Sequence, residues 1–294
     1  MTGDPTRAET PSVAPDDTPR LKGASPAAAA PERTGTAPGD TWVLEGHTRR
    51  DVVVVADRFA QFARGDRVLT VSGLLALLAA GDPDADTDAG HWVVHLGQGV
   101  DATDHDLLEA AREKSGITVT FADPAAFRRV PERSVLVHKD RPENVLLAGV
   151  HSPSAGYCLA ELRIHRDNEL ILDHHTGEHV QGIVIVEAMR QICIAQFETA
   201  IRPGLATAAY AGVWKRIDLS FQDFLFPLPA TVESLIEESD LGRETNLKFR
   251  ATTAVRQQGR TVATAVIEYS MIAQGRIDAL ERRKADQATR AYLG

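Results

Sequence analysis

The longest apolar stretch of the chain lies at residues 181–201, where hydrophobic side chains occupy almost every side of a helical projection. A helix with this pattern is buried on most of its faces. The β-branched run 183–186 would also suit a strand, and periodicity alone does not decide between the two. Length favours the helix, because about 20 residues without a turn exceed the usual strand.

Alternating polar and apolar positions follow this helix as far as residue 272. The segments 245–256 and 261–272 alternate most regularly, and Gln258-Gly259 between them predicts a hairpin turn. The other predicted strands are 144–150, 157–165, 213–221 and 230–237. One buried helix early in a strand-rich region predicts an antiparallel sheet wrapped around a long helix. This α+β arrangement, the hotdog fold, is expected over residues 131–273.

Residues 43–130 have a different pattern, in which short apolar segments alternate with helical ones. The predicted strands are 51–57, 91–96 and 117–121, residues 67–71 are a strand or a turn, and the predicted helices are 73–80 and 104–115. The second helix has Thr103 as its expected N-cap and Gly116 as its left-handed stop. This alternation predicts a small, mostly parallel α/β unit before the hotdog domain. We expect it to be accessory, because the candidate chemical residues all follow Pro131.

The two ends of the chain differ from these folded segments. Residues 1–42 hold seven of the 15 prolines among small and polar residues, a composition typical of disorder. Residues 274–294 form a charged tail, which is predicted to be a solvated helix.

Composition argues against a nucleic-acid-binding, membrane-spanning or secreted protein. A net charge of -9 argues against nucleic-acid binding, which needs basic groups to neutralise phosphates. No stretch of about 18 apolar residues supports a membrane span, and the polar N-terminus does not resemble a secretory signal. The two cysteines, Cys158 and Cys193, lie in apolar segments and are expected to be buried free thiols. We therefore expect a cytoplasmic protein.

The densest chemical cluster runs from Asp173 to Gly182 and leads into the buried helix. Within the helix, Glu187 and Arg190 are three residues apart, so they can pair on one face. A buried carboxylate costs several kcal/mol unless it is paired, and buried charge often marks a functional site. The N–H of Gly182 at the helix start would suit a thioester carbonyl or its oxyanion.

The residues Asp173-His174-x-Thr176-Gly177-x-His179-Val180-x-Gly182, followed by Glu187-Ala188-x-Arg190-Gln191, form the motif of a known family. They resemble the hotdog domain of A-factor biosynthesis (AfsA-like) proteins. Val137-His138-Lys139 and residues 143–147 resemble the start of the same domain, and the similarity covers about residues 134–272. The segment is more distantly similar to β-hydroxyacyl carrier-protein dehydratases.

This resemblance implies acyl transfer from a β-ketoacyl carrier protein to a dihydroxyacetone-phosphate-like hydroxyl, on the way to γ-butyrolactone signals. Glu187, Arg190 and His174 are the expected catalytic residues. Gly182, Asp173, His179 and Gln191 are expected to bind substrate. The partner is an acyl carrier protein or acyl-CoA, and no cofactor or metal is expected. Family synthases usually contain two hotdog repeats, whereas this sequence shows one, so the site is expected to form by homodimerisation.

Other interpretations remain open for the function and for single residues. A β-hydroxyacyl-thioester dehydratase or hydratase is the rival enzyme, and a non-catalytic acyl-ligand binder is the rival of another class. Glu187 and Arg190 could be a structural ion pair. The histidines could order the loop, which is the main alternative for His179, or hold a metal, which the intervening Thr176 and Gly177 disfavour.

Two features of the α/β unit have weaker chemical interpretations. Gly97-Gln98-Gly99 follows a strand and could bind phosphate, but the third glycine of a dinucleotide fingerprint is absent and a plain turn is favoured. Asp57 could act in phosphotransfer, although a solvated strand end is the preferred interpretation.

Overall fold

The computed structural model contains two β-sheets of different kinds. The structure describes residues 43–44, 47–65, 67–81, 91–128, 130–171, 178–207 and 209–294. The predicted disordered tail at 1–42 lies outside these residues, as do residues 172–177 of the histidine-rich segment. Disorder of the tail therefore stays a prediction.

The first sheet is mostly parallel and confirms the predicted α/β unit. Its elements are β1 Val43–Leu44, β2 His47–Val55, β3 Val68–Thr70, α1 Val71–Ala80, β4 His91–Leu96, α2 Ala102–Ser115 and β5 Val119–Phe121. The parallel strands run in the order β3-β2-β4-β5, and β1 pairs antiparallel with the start of β2. Val54, Leu74 and Leu108, from β2, α1 and α2, are fully buried in one apolar cluster.

The start of α2 corrects the predicted cap. Asp101, rather than Thr103, is the N-cap, and its carboxylate accepts hydrogen bonds from the backbone N–H groups of Thr103 and Asp104. The Asp104 carboxylate accepts from the Asp101 N–H in return, which completes a capping box. The C-terminal end of α2 is as predicted, since Gly116 has φ 73° in the left-handed region.

The second sheet is antiparallel and six-stranded. Its strands are β6 Leu147–Ser154, β7 Tyr157–Leu162, β8 Tyr210–Phe221, β9 Thr231–Asp240, β10 Asn246–Gln257 and β11 Arg260–Ala273. They pair in the order β6-β7-β9-β10-β11-β8. The predicted hairpin between β10 and β11 is confirmed, because Gln258 and Gly259 both have positive φ, 52° and 75°.

The apolar stretch at 181–201 is a helix, as its length predicted. The short helix α3 spans Ser134–Val137, and the long helix α4 spans Gly182–Gln196 before a π-helical turn at Phe197–Ile201. Val184, Met189 and Ile192 of α4 are fully buried in the core that the concave side of the second sheet encloses. Cys158 and Cys193 lie in this core as free thiols. The sheet wrapped around α4 confirms the predicted hotdog fold.

The α/β unit packs directly on the hotdog sheet through the loop after β4. The buried Gln98 side chain donates from Nε2 to the carbonyls of Leu162 and Leu228, both at 3.1 Å, and accepts from the Ile164 N–H at 2.8 Å. A Cβ on Gly97 would lie 2.6 Å from the Pro227 carbonyl, so only glycine fits there. The Gly97–Gly99 loop therefore makes a structural contact, and its glycines are explained by close packing.

Apolar residues reinforce this junction. Val55, Ala56 and Phe59 belong to the same buried cluster as α4 and the hotdog strands. The Phe62 ring also stacks on Phe226 with 5.6 Å between centroids. The division into two domains stays a prediction, because the parallel sheet has an apolar core of its own while Val55, Ala56 and Phe59 join the core of the hotdog sheet.

Two further sequence-based interpretations are resolved by the structure. Asp57 follows β2, and its carboxylate accepts from the N–H of Ser72 at 3.0 Å and from the Ser72 hydroxyl at 2.6 Å, near the start of α1. It therefore stabilises a helix start. The predicted solvated C-terminal helix is confirmed as α5, Gln274–Leu293, of which Ile277 is the buried residue. None of the helices in the described ranges is long and apolar enough to cross a membrane.

Candidate active site on the buried helix

The start of α4 is set by the segment before it and by the end of β8. The Val180 N–H donates to the Leu225 carbonyl at 2.7 Å, and Gln181 is the N-cap of the helix. The Phe221 ring covers Gly182 so closely that a Cβ there would lie 2.9 Å from the ring edge. The first N–H groups of a helix have no partner within it, so this end suits a carbonyl oxygen.

Aromatic side chains lie around this helix start. The His179 ring is 5.0 Å from Phe224, which in turn lies 6.4 Å from Phe226. Phe221 is 53% exposed, Phe224 62% and Ile183 52%, so a wide apolar surface faces outward here. His179 thus lies beside the apolar surface and near Gly182, consistent with either binding or ordering of the loop.

The predicted residues Asp173 and His174 lie in the segment that the structure does not describe. Their assigned roles, substrate binding for Asp173 and catalysis for His174, stay predictions. Within the described ranges, no group of three or more His, Cys, Asp or Glu side chains is arranged to hold a metal ion.

Glu187 is the centre of a charged cluster on α4. Arg190 donates to it through two nitrogens, from Nε to Oε2 and from Nη2 to Oε1, both at 2.8 Å. Lys139 Nζ lies 2.8 Å from Oε1, and Gln191 Nε2 donates to the same oxygen at 3.0 Å. Glu187 is 15% exposed, against 26% for Arg190 and 27% for Lys139. The two cations therefore enclose the carboxylate and keep part of their own surface in solvent.

These contacts determine the protonation of Glu187. Burial alone would raise its pKa, but the hydrogen bonds and charges of Arg190, Lys139 and Gln191 outweigh burial and hold the pKa below its ordinary value of 4.5. The carboxylate is therefore ionised at neutral pH. Its ion pairs stabilise the fold above the ordinary pKa, and that stabilisation is lost as the pH falls through the lowered value.

Gln191 connects the cluster to the start of β6. It is fully buried, and besides Glu187 its Nε2 contacts the Asn144 carbonyl at 2.8 Å while its Oε1 accepts from the Leu146 N–H at 2.8 Å. Every polar atom of its side chain has a protein partner. Gln191 therefore fixes the helix against residues 144–146, and its predicted contact with substrate would require one of these bonds to open.

A second acidic residue, Glu198, lies on the same side of the helix as Glu187. The two acids contact adjacent residues of the segment before β6, since Glu198 bonds to His138 and Glu187 pairs with Lys139. Glu198 is 6% exposed, accepts from His138 Nε2 at 3.1 Å and pairs with Arg202 through its other oxygen. The sequence analysis missed Glu198.

The charged cluster allows a limited set of chemical steps. Each carboxylate oxygen has about two acceptor positions; three groups crowd Oε1 of Glu187, whereas Oε2 accepts from Arg190 Nε. Oε2 therefore keeps one position for a substrate proton. Because it is ionised, Glu187 can accept a proton at neutral pH but has none to donate.

Comparison with known proteins agrees with this fold. The family model described as the A-factor biosynthesis hotdog domain matches residues 120–273, more than half of the chain. No match to a curated protein was found.

Several solved structures show a weak likeness to the chain. A putative thioesterase related to phenylacetic acid degradation, from Ralstonia eutropha, is 17% identical with TM-score 0.32, covering 42% of this chain and 83% of that one. Zebra fish thioesterase superfamily member 2 is 13% identical with TM-score 0.32, covering 44% and 82%. A hypothetical thioesterase with coenzyme A from Streptococcus pneumoniae is 10% identical with TM-score 0.30, covering 43% and 86%.

The identification rests on the family match together with the sheet order and the Glu187–Arg190 pair on the enclosed helix. The chain belongs to the A-factor biosynthesis hotdog family.

Proposed function

We propose that this protein transfers an acyl group from a β-ketoacyl thioester to the hydroxyl of a small acceptor resembling dihydroxyacetone phosphate. The observation that carries the proposal is the ionised Glu187 between Arg190 and Lys139, on the enclosed helix of a hotdog domain of this family. A purely apolar ligand pocket would have no use for three charged side chains at its helix, since burying them costs several kcal/mol.

The reaction joins the acceptor oxygen to the thioester carbonyl carbon and breaks the carbon–sulfur bond. The carbonyl oxygen would lie at the N-terminus of α4, where the helix dipole and the first N–H groups stabilise its developing negative charge. Oε2 of Glu187 would take the hydroxyl proton. The departing thiolate is the stronger base, with an ordinary pKa near 8.5, so the proton ends on sulfur.

Product analysis tests this function against its rivals. The purified protein is incubated with a β-ketoacyl carrier protein, or the corresponding acyl-CoA, and dihydroxyacetone phosphate, and the products are identified by mass spectrometry. We expect an acylated acceptor and a free carrier thiol in equal amounts. A free acid instead would indicate hydrolysis, an enoyl product from a β-hydroxyacyl thioester would indicate dehydration, and tight binding without product would indicate a ligand-binding protein.

Dehydration is disfavoured by the state of Glu187. A dehydratase must protonate the leaving hydroxyl, and a carboxyl whose pKa is held below 4.5 cannot supply that proton at neutral pH. This rival would therefore depend on another acid, such as His174.

We further infer that the protein is a homodimer that pairs through β8. This 12-residue strand pairs with β11 on one side, and no other strand of the described ranges covers its second edge. A long open edge is prone to association, and the exposed Ile183, Phe221 and Phe224 lie at its end beside the start of α4. Pairing of two β8 strands would bring a second subunit next to each candidate site.

Light scattering tests the dimer. We expect a particle of twice the 31.8 kDa chain mass at micromolar concentration. Phe224→Asp should weaken it, because a charge would replace an exposed ring of the proposed interface. Leu241→Asp is the matched control, since Leu241 is also exposed, at 48%, but lies after β9. A monomer in the wild type, or equal effects of both substitutions, would contradict pairing through this surface.

A further inference from the structure

Three consecutive residues before β6 contact α4 and the π-helical turn that follows it. The Val137 carbonyl accepts from Arg190 Nη2 at 3.4 Å, His138 Nε2 lies 3.1 Å from Glu198, and Lys139 Nζ lies 2.8 Å from Glu187. We propose that Lys139 and Arg190, fixed on either side of Glu187, together bind the phosphate group of the acceptor. This proposal rests on the proposed acyl transfer and assigns to Lys139 a role in recognising the acceptor.

The backbone around Lys139 is held in an uncommon conformation. His138 has φ 53° and ψ 52°, and in the described ranges Gln258 is the other non-glycine residue with positive φ. Gln258 lies in a hairpin turn and His138 is the C-cap of the short helix α3, and positive φ is common in both places. A non-glycine residue in this region still costs of order 1–3 kcal/mol, so contacts around His138 must keep it there.

The buried Glu198 explains how this conformation is kept. It holds His138 through one carboxylate oxygen and Arg202 through the other, and it lies in the π-helical turn that follows α4. Single π-turns within helices are often found at functional sites. Glu198 in this turn contacts His138, and Lys139, the next residue, contacts Glu187. His138 and Glu198 are thus positioning residues for the Lys139 ammonium group.

The charge and spare donors of the cluster suit a phosphate. Lys139 and Arg190 bring two positive charges against one negative charge on Glu187, so the cluster has a net charge of about +1 at neutral pH. An ammonium has three N–H donors and a guanidinium has five. Glu187 and the Val137 carbonyl use only some of these donors, and both cations are about a quarter exposed. Donors from one ammonium and one guanidinium are a common way to hold a phosphate dianion.

The test measures phosphate binding separately from activity. The melting temperature of the full chain is followed as inorganic phosphate is added, with sodium chloride at equal ionic strength as the reference. We expect phosphate to raise the melting temperature of the wild type and of Lys139→Arg above the chloride reference, but not that of Lys139→Met. Lys248→Met is the matched control, because Lys248 Nζ also lies 2.8 Å from a carboxylate, that of Asp240, but on the outer face of the sheet.

Steady-state kinetics then connect binding to the acceptor. Lys139→Met should raise KM for dihydroxyacetone phosphate by about tenfold or more, the effect of losing a hydrogen bond to a charged group. The rise in KM should be much smaller for unphosphorylated dihydroxyacetone, which has no phosphate for Lys139 to bind. If Lys139→Met does not fold, Lys139→Gln replaces it in both measurements.

The outcomes separate this proposal from the proposed function. Equal phosphate stabilisation of wild type and Lys139→Met, or none in the wild type, would overturn the phosphate site even if acyl transfer is observed. Loss of stabilisation in Lys139→Met, with no acyl transfer by the wild type to any acceptor, would support the phosphate site and reject the proposed function.

Discussion

Glu187→Gln is expected to lower kcat/KM for acyl transfer by about 100-fold or more. General-base catalysis usually contributes a rate factor of about 10²–10⁴, which this substitution removes. The amide keeps the size of the side chain and one oxygen that can accept from Arg190 or Lys139. It cannot take a proton, and it leaves the two cations without the negative charge that now lies 2.8 Å from each. The measurement is steady-state turnover with the carrier thioester and acceptor at neutral pH.

A matched substitution separates catalysis from general loss of an ion pair. Glu237 pairs with Arg250 at 3.1 Å on the outer face of the sheet, so Glu237→Gln removes a comparable pair far from α4 and should leave turnover unchanged. Because the pKa of Glu187 lies below 4.5, its titration should not appear in the wild-type pH–rate profile near neutrality. Near-wild-type turnover of Glu187→Gln would show that the acid is structural.

Gln98→Met is expected to lower the free energy of unfolding by about 3 kcal/mol. The reason is that each buried polar group left without a partner costs about 1–3 kcal/mol. Methionine has a similar length, so little packing is lost. The substitution leaves the Leu162 carbonyl and the Ile164 N–H without the bonds that Gln98 now makes, whereas the Leu228 carbonyl keeps its bond from Gln257 Nε2 at 3.2 Å. Urea unfolding, followed by circular dichroism, measures the change.

Gln222→Met is the control for this substitution. Gln222 donates to the Thr264 hydroxyl at 2.8 Å on the exposed surface, where water can replace the lost bond. Its replacement should change the free energy of unfolding by no more than about 0.5 kcal/mol. If Gln98→Met is equally mild, the two sheets are joined mainly by their shared apolar residues, with Gln98 contributing little.

Sequence patterns predicted the elements well where local rules decide them. Alternation in β10 and β11, the Gln258-Gly259 turn and the length of the apolar stretch all act within a few residues, and the structure confirms them. The cap of α2 was wrong because Asp101 and Thr103 are both good capping residues. The reciprocal bond from Asp104 decides between them, and it depends on backbone geometry.

The junction between the sheets could not be predicted from sequence. Gln98 bonds to residues more than 60 positions away along the chain, and Gly97 is required by a carbonyl from residue 227. Neither contact leaves a periodic signal. The α/β unit was predicted to be accessory because the candidate chemical residues lie outside it, and their positions give no information about packing. The apolar residues that it shares with the hotdog core argue that the hotdog sheet depends on this unit.

The candidate site was predicted in part. The pairing of Glu187 with Arg190 follows from helical spacing, and the structure confirms that contact. Lys139 and Glu198 were missed as partners, because the approach of residues 137–139 to α4 depends on the left-handed turn at His138. Lys139 joins Arg190 and Gln191 in holding the pKa of Glu187 below its ordinary value, an effect that helical spacing alone does not reveal.

The order of the strands has a consequence for synthesis on the ribosome. Helix α4 is made before β8 to β11, yet β9 and β10 cover it, and β8 finds its partner only when β11, the last strand, is complete. In a nascent chain the apolar residues of α4, most of which are buried in the finished fold, therefore stay exposed until nearly the whole sequence has emerged. Exposed apolar segments of this kind are prone to aggregate, so the yield of native protein depends on chaperone capacity and translation rate as well as on the stability of the finished fold.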